Sequence, residues 1–308
     1  MLNVKRATRK ASWGISASKK YHETVAAAVK FKPWICVLYT IGKLKGTNKK
    51  VEKEFNWLIN DEFFTQLGHL QSLLMECSRR LPISIPGVDS LIKPEKFLLS
   101  NTPQHHVTVT DQVKCVVQIS GDNISQADIN IRLHKQPSPH RTLVQGDRCW
   151  KLQQLQDAGN HVWQAINIIS MMPKNFKETD FHASEHVIQV LNNIMGCLQR
   201  GRSSLLIPKK RTIEEIINSK NMRLLHPQLP NDIAISFYIQ SHKLVFAVYH
   251  IQKNQGQMKF EVYHAETSIP WLNEVLVFIT LALQICQQMK DKVAVFSQYD
   301  DLMVVTPL

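Results

Sequence analysis

Two hydrophobic periods in one chain predict an α+β fold: an antiparallel four-helix bundle with an antiparallel β-sheet domain made of two insertions. Four segments carry apolar residues at alternating steps of three and four, the spacing of a helical seam. Two others alternate or run β-branched between turn residues, as strands do. The strongest helical signal is 271–296, where Val275, Ile279, Ala282, Cys286, Met289, Val293 and Phe296 form one stripe. Leu276, Val277, Phe278, Leu281, Leu283 and Ile285 make the remaining faces apolar too. Such a helix requires neighbours on several sides.

Residues 1–50 hold 12 Lys and Arg against a single acid, Glu23, and read as a disordered basic extension. Their composition is also that of a mitochondrial presequence. The first helix spans about 51–80, with Phe63, Leu67, Leu70, Leu74, Cys77 and Leu81 on its seam, and Pro82 and Pro86 end it. Val107–Val109, Val113–Ser120 and Ile129–Leu133 then read as strands, turning at Gly121-Asp122. A second helix, about 148–170, places Leu152, Leu155, Gly159, Val162, Ile166 and Ile169 in line before Pro173. A third, about 183–203, carries Val187, Leu191, Ile194, Leu198 and Gly201, and a short helix follows behind a Thr212/Glu215 capping box. Residues 233–240 and 243–251 form a hairpin across Ser241-His242, with a further strand at 258–264. Pro270, favoured in a first helical turn, opens the last helix. The predicted bundle is 51–92, 146–225 and 265–298; the β domain is 93–145 and 226–264, and 299–308 is a tail.

The net charge of +12 resides almost wholly in the first 50 residues; residues 51–308 carry 25 basic and 24 acidic side chains. Overall charge is therefore no argument for nucleic-acid binding by the body of the chain. The six cysteines, at 36, 77, 115, 149, 197 and 286, include no CxxC pair, and three fall on helical seams. That pattern is one of reduced thiols acting as small hydrophobes. No stretch is continuously apolar over the length of a membrane span, so any membrane association is expected to be peripheral.

Several constellations suggest chemistry without completing it. His182-Ala-Ser-Glu185-His186 matches the H-x-x-E-H pattern of some zinc peptidases but lacks a third ligand. His105-His106, Cys115 and Cys149 have no ligand spacing. Lys43, Lys45, Lys49 and Lys50 precede the first seam as a zipper protein's basic region would, but Gly46-Thr47-Asn48 interrupts them. Pro208-Lys-Lys-Arg211 has the composition of a nuclear-import patch. Phosphate loops and nucleophile–base motifs do not occur, so the expectation is a protein that is not an enzyme, with no catalytic, cofactor or metal residues.

The strings EKEFNWLINDEFFTQLGHLQSLL at 52–74, SGDNISQADINI at 120–131, WKLQQLQDAGNHVWQAI at 150–166 and IPWLNEVLVFITLALQICQQMKDKVAVFS at 269–297 resemble the Rogdi family. The resemblance implies a zipper-like α domain plus a β domain. It further implies a non-catalytic adaptor subunit of a RAVE-type complex. Its partners would be a WD-repeat scaffold of the Dmx/rabconnectin kind and the peripheral sector of the vacuolar proton-pumping ATPase. The implied location is cytoplasmic, on endolysosomal or synaptic vesicle membranes, with a nuclear or nuclear-envelope pool. The alternative reading is a nuclear regulatory protein of the zipper type.

The predicted structural seam is Leu67, Leu70, Leu74, Leu155, Val162, Ile166, Leu191, Ile194, Leu198, Val275, Ile279, Ala282, Met289 and Val293. Trp163, Trp271 and Phe278 exceed what one seam requires and are the candidate partner surface. Open strand edges are a second route to a partner, through strand addition.

Overall fold

The structure is a computed structural model that describes residues 48–101, 111–144, 149–172, 183–254 and 257–304. The chain divides into two compact units, Met1–Phe55 and Asn56–Leu308. Of the first, only residues 48–55 are described, as the start of a helix, α1 (Asn48–Trp57). Residues 1–47 of the basic extension, Val107–Val109, His105-His106 and His182 thus lie outside the described residues, while Asn48, Lys49 and Lys50 begin α1.

The second unit is organised by one antiparallel sheet of nine strands. They are β1 (Glu95–Ser100), β2 (Gln112–Ser120), β3 (Asn123–Arg132), β4 (His140–Val144), β5 (Trp150–Lys151), β6 (Leu225–His226), β7 (Ile233–Gln240), β8 (Lys243–Asn254) and β9 (Gln257–Ser268). Their spatial order is β6-β4-β3-β2-β1-β9-β8-β7, with β5 beside β3. The β1–β9 contact, Ser100 opposite Glu266, fuses the two strand-bearing segments into a single sheet. Within it, the two-residue turns fall at Gly121, with φ of +63°, and at Ser241, with φ of +62°. Both left-handed conformations serve to reverse a hairpin whose strands twist right-handedly.

Alternation along the strands assigns the two faces. Val113, Cys115, Val117 and Ile119 of β2, Ala127, Ile129 and Ile131 of β3, and Leu244, Phe246 and Val248 of β8 are all buried on one face. The sheet curls around them. Trp150, beside β3, meets Phe237 of β7 edge-on at 5.1 Å, and Phe237 stacks on Phe246 at 4.8 Å. Elements far apart in the strand order therefore touch across the concave face.

The helices are α2 (Phe63–Ser78), α3 (Gln153–Ser170), α4 (Ala183–Leu206), α5 (Ile213–Ile217) and α6 (Pro270–Val304). A π-helical turn, Leu58–Glu62, joins α1 to α2, and the widened turn leaves the consecutive residues Leu58 and Ile59 both buried. α2 packs on α3 and α6, as does α4, and α3 and α4 also touch β7. α5 carries the capping box in both directions: the Thr212 hydroxyl accepts from Glu215 N–H at 3.2 Å, and Thr212 N–H donates to the Glu215 carboxylate at 2.8 Å.

This architecture overturns the predicted four-helix bundle carrying a sheet of two insertions. The frame is a large, curled, nine-stranded antiparallel sheet with the helices joined to it in one unit. The reason is that a heptad stripe reports burial of one side of one segment. It does not report what covers that side, or that residues 166 positions apart will pair as strands (266 − 100 = 166).

Free sheet edges are also fewer than the sequence suggests. At β7, the Gln154 side chain imitates a neighbouring strand: its Oε1 accepts from Ile239 N–H and its Nε2 donates to Ile239 C=O, both at 2.8 Å. Next to it, Ser241 N–H donates to Leu205 C=O at 2.8 Å. At the other end β6 has only two residues, and short edge strands resist strand addition.

Gln154→Leu removes both partners of a covered peptide unit and is expected to cost about 1–3 kcal/mol in urea unfolding. Ile279, fully buried in α6, is expected to lose about 2–5 kcal/mol as Ile279→Ala. Ile279→Asp is expected to abolish cooperative unfolding, because its carboxylate would have no partner. A thermal midpoint unchanged in Ile279→Asp would mean that α6 faces elsewhere.

Candidate functional site

Arg80 is the side chain around which the most distinctive surface is built. It follows α2, where Pro82 prevents further helix, and it projects toward α6. Its Nε donates to the Glu274 carboxylate at 2.7 Å, and its Nη1 donates to Glu76 C=O at 2.8 Å and to the Glu76 carboxylate at 3.1 Å. The guanidinium also lies 5.2 Å from the ring centre of Phe278, a cation–π distance. Beside it is a shallow pocket lined by Ile92, Lys93, Glu95, Ile119, Trp271 and Glu274, among others. The loop after α2, the β2–β3 turn and the first turn of α6 thus converge at one place.

Of the candidate partner surface, Trp271 lines this pocket half-buried and Phe278 is buried beneath Arg80. Trp163 lies apart, on α3, with 45% of its surface exposed. The structure therefore brings Trp271 and Phe278 to one site and leaves Trp163 on its own. Leu67, Leu70, Leu74, Leu155, Val162, Ile166, Leu191, Ile194, Leu198, Val275, Ile279, Ala282, Met289 and Val293 are all buried. They fill the contacts of α2, α3, α4 and α6. Over Pro270–Phe296, α6 is long and apolar enough by composition to cross a membrane, but its seam is spent on these helix contacts.

A second polar cluster was not signalled by any motif. It straps the turn after β3 to the far end of β7–β9. Lys135 pairs with Glu261, Gln136 Nε2 donates to Asp232 at 2.6 Å, and the buried His250 has Nε2 3.6 Å from Asp232 and Nδ1 3.9 Å from Glu261. Nearby, the buried Asp111 carboxylate accepts from His134 N–H at 2.6 Å and meets the His134 ring at 2.9 Å. The hydrogen bond from Lys135 holds the Glu261 carboxyl below its ordinary value. These groups close the curl. The only sequence cue was polarity, His250 standing in the apolar strand text KLVFAVYHI.

The remaining constellations do not converge. Cys115 faces the core, where burial pushes its thiol up, and Cys149 is exposed. Burial likewise pushes Cys77 and Cys286 up to about 12, so both are protonated at neutral pH. Glu185 and His186 are exposed in the first turn of α4. Lys209, in the basic tetrapeptide, pairs with Asp157 at 3.2 Å. Among the described residues, no three His, Cys, Asp or Glu side chains gather closely enough to hold a metal.

The family model for "Rogdi leucine zipper containing protein" matches residues 54–263, from the helix before the π turn into β9. The chain belongs to the Rogdi family. It is 45% identical over 252 residues to Protein rogdi of Drosophila melanogaster, covering 82% of this chain and 90% of that one. The Rogdi homologues of Danio rerio and Homo sapiens are 37% and 35% identical over 276 residues, covering 81% of this chain and 94% and 93% of theirs.

Arg80 also sets an acid limit on the fold. Its hydrogen bond, then that of Arg79, holds the Glu76 carboxyl below its ordinary 4.5. A depressed carboxyl stabilises the fold above its unfolded value and ceases to as pH falls through the folded one. Glu76 is partly exposed, so solvent limits the effect to at most about 1 kcal/mol. Arg80→Gln is expected to lower the melting temperature at neutral pH and to lessen its fall below about pH 4.5, read by calorimetry across pH.

Proposed function

We propose that this Rogdi-family chain is a non-catalytic adaptor subunit of a RAVE-type complex. In that role it sits with a WD-repeat scaffold of the Dmx/rabconnectin kind. It promotes assembly of the peripheral sector of the vacuolar proton-pumping ATPase onto the membrane sector. The observation that carries the reading is the family match over 54–263 together with relatives aligned across most of their length. The chemistry of the surface agrees with it. The most developed site is an ion-paired junction of helix, loop and sheet around Arg80, with Trp271 half-exposed at its rim. Such a surface suits protein recognition, in which aromatic and Arg side chains contribute most per residue. The proposed location is the cytoplasmic side of acidifying vesicles, reached through the scaffold rather than through a membrane span.

The test is co-purification of the tagged chain with the scaffold and with peripheral ATPase subunits. Deleting the chain is expected to slow recovery of proton pumping after the two ATPase sectors have been separated, with ATP hydrolysis by the isolated peripheral sector unchanged. Normal recovery in its absence would sink the reading.

A further inference from the structure

The convex face of the sheet is treated differently at its two ends. Directly paired residues share a face, and the pairs Ser100–Glu266, Phe260–Ile251 and Tyr249–Ala234 trace one face from β1 to β7. At the β7–β8 end the protein covers this face itself: Ile213, Ile216 and Met222 pack on Ala234, Tyr249 and Ile251. The cover is the short helix α5, with Glu214 and Glu215 exposed in its first turn, together with Met222 of the helical turn Lys220–Leu224 that follows it.

At the β1–β4 end none of the described residues covers the Leu98–Val116 centre of the same face. Leu98 and Val116, paired across β1 and β2, stand 63% and 44% exposed. Lys96 and Lys114 flank them on the same face, and Arg132 stands farther along it, four residues beyond Asp128 on β3; all three are exposed and without an ion pair among the described residues. Asp128, opposite Val116, is already neutralised by Arg141 through two hydrogen bonds at 2.7 and 3.1 Å. The surface thus has an apolar centre, a cationic rim and no carboxylate left unpaired in that row. Because residues 51–308 are almost neutral, this is a local concentration of positive charge rather than the chain's general character.

We infer that the convex face of β1–β4 is a docking surface for an acidic amphipathic helix of a partner protein. Its apolar stripe sits on Leu98 and Val116, and its carboxylates lie over Lys96, Lys114 and Arg132. At the β7–β8 end of the same face the protein's own α5 packs in this way. Charge complementarity selects an acidic one. Nucleic acid is the poorer fit, because the centre offers aliphatic side chains where bound bases need aromatic platforms.

The inference rests on the adaptor reading for its partner, and the experiment separates the two. The tagged full-length chain is purified from cells with its scaffold, with and without nuclease treatment, and compared with the free chain by amine acetylation and mass spectrometry. Lys96 and Lys114 are expected to react roughly fivefold or more slowly in the assembly, nuclease-treated or not. A zero-length carbodiimide is expected to couple them to scaffold Asp or Glu. Lys96→Glu with Lys114→Glu is expected to reduce scaffold recovery roughly tenfold with an unchanged melting temperature, and the Arg versions to retain it. Equal lysine reactivity in the free and assembled chain would overturn the docking surface and leave the adaptor role standing. Protection abolished by nuclease would assign the face to nucleic acid and overturn it too. Recovery of no scaffold by the wild-type chain would overturn both readings.

Discussion

β1 and β9 meet at Ser100 and Glu266, and through that narrow contact two distant stretches of chain become one sheet. Without it, each stretch would expose an edge of unpaired backbone groups, and a small sheet with an open edge is a marginal structure. With it, the sheet becomes wide enough to curl, and the curl supplies the protein with an interior. Trp150, Phe237 and Phe246 fill that interior from both arms of the sheet. The polar strap from Lys135 and Gln136 to Asp232, His250 and Glu261 holds the arms together at the rim.

The helices depend on the same closure. α6 leaves β9 after a single residue, Ile269, whose N–H donates to His242 C=O at 2.8 Å. The start of the longest helix is thereby fixed to the turn of the β7–β8 hairpin. α4 is tied to that turn by Leu205, and α3 to the β7 edge by Gln154. Arg80 then couples the end of α2 to the first turns of α6. Helix placement thus follows from a few directional polar contacts at the sheet, while the apolar seams supply burial without direction.

Burial of this kind explains why an α6 so apolar need not touch lipid. Val275, Ile279, Ala282, Cys286, Met289 and Val293 are spent on helix contacts, while Asn273, Glu274, Gln284, Gln287 and Gln288 keep the opposite side wet. The surfaces left for a partner are consequently those where the protein has placed apolar groups without covering them.

Much of this protein was legible in its sequence. The seams from Leu67 to Val293 identified the buried side of each helix, because a stripe at three and four residues can be satisfied only by burial. Gly121-Asp122 and Ser241-His242 identified the two hairpins, and the Thr212/Glu215 box identified the start of α5, since local backbone chemistry dictates each. The wording of 52–74, 120–131, 150–166 and 269–297 identified the family. What only the tertiary structure decided was how these parts add up. No local signal states that β1 will pair with β9, so the frame proved to be a curled sheet where periodicity implied a bundle. The same applies to function-bearing surface. Arg80, Gln154 and His250 are single polar residues whose partners lie elsewhere in the chain. Val116 reads as an ordinary strand residue and Leu98 falls in no predicted strand, until the pairing of β1 with β2 places them side by side in water. Periodicity fixes which side of an element is buried; long-range pairing fixes what it is buried against, and which apolar groups are left over.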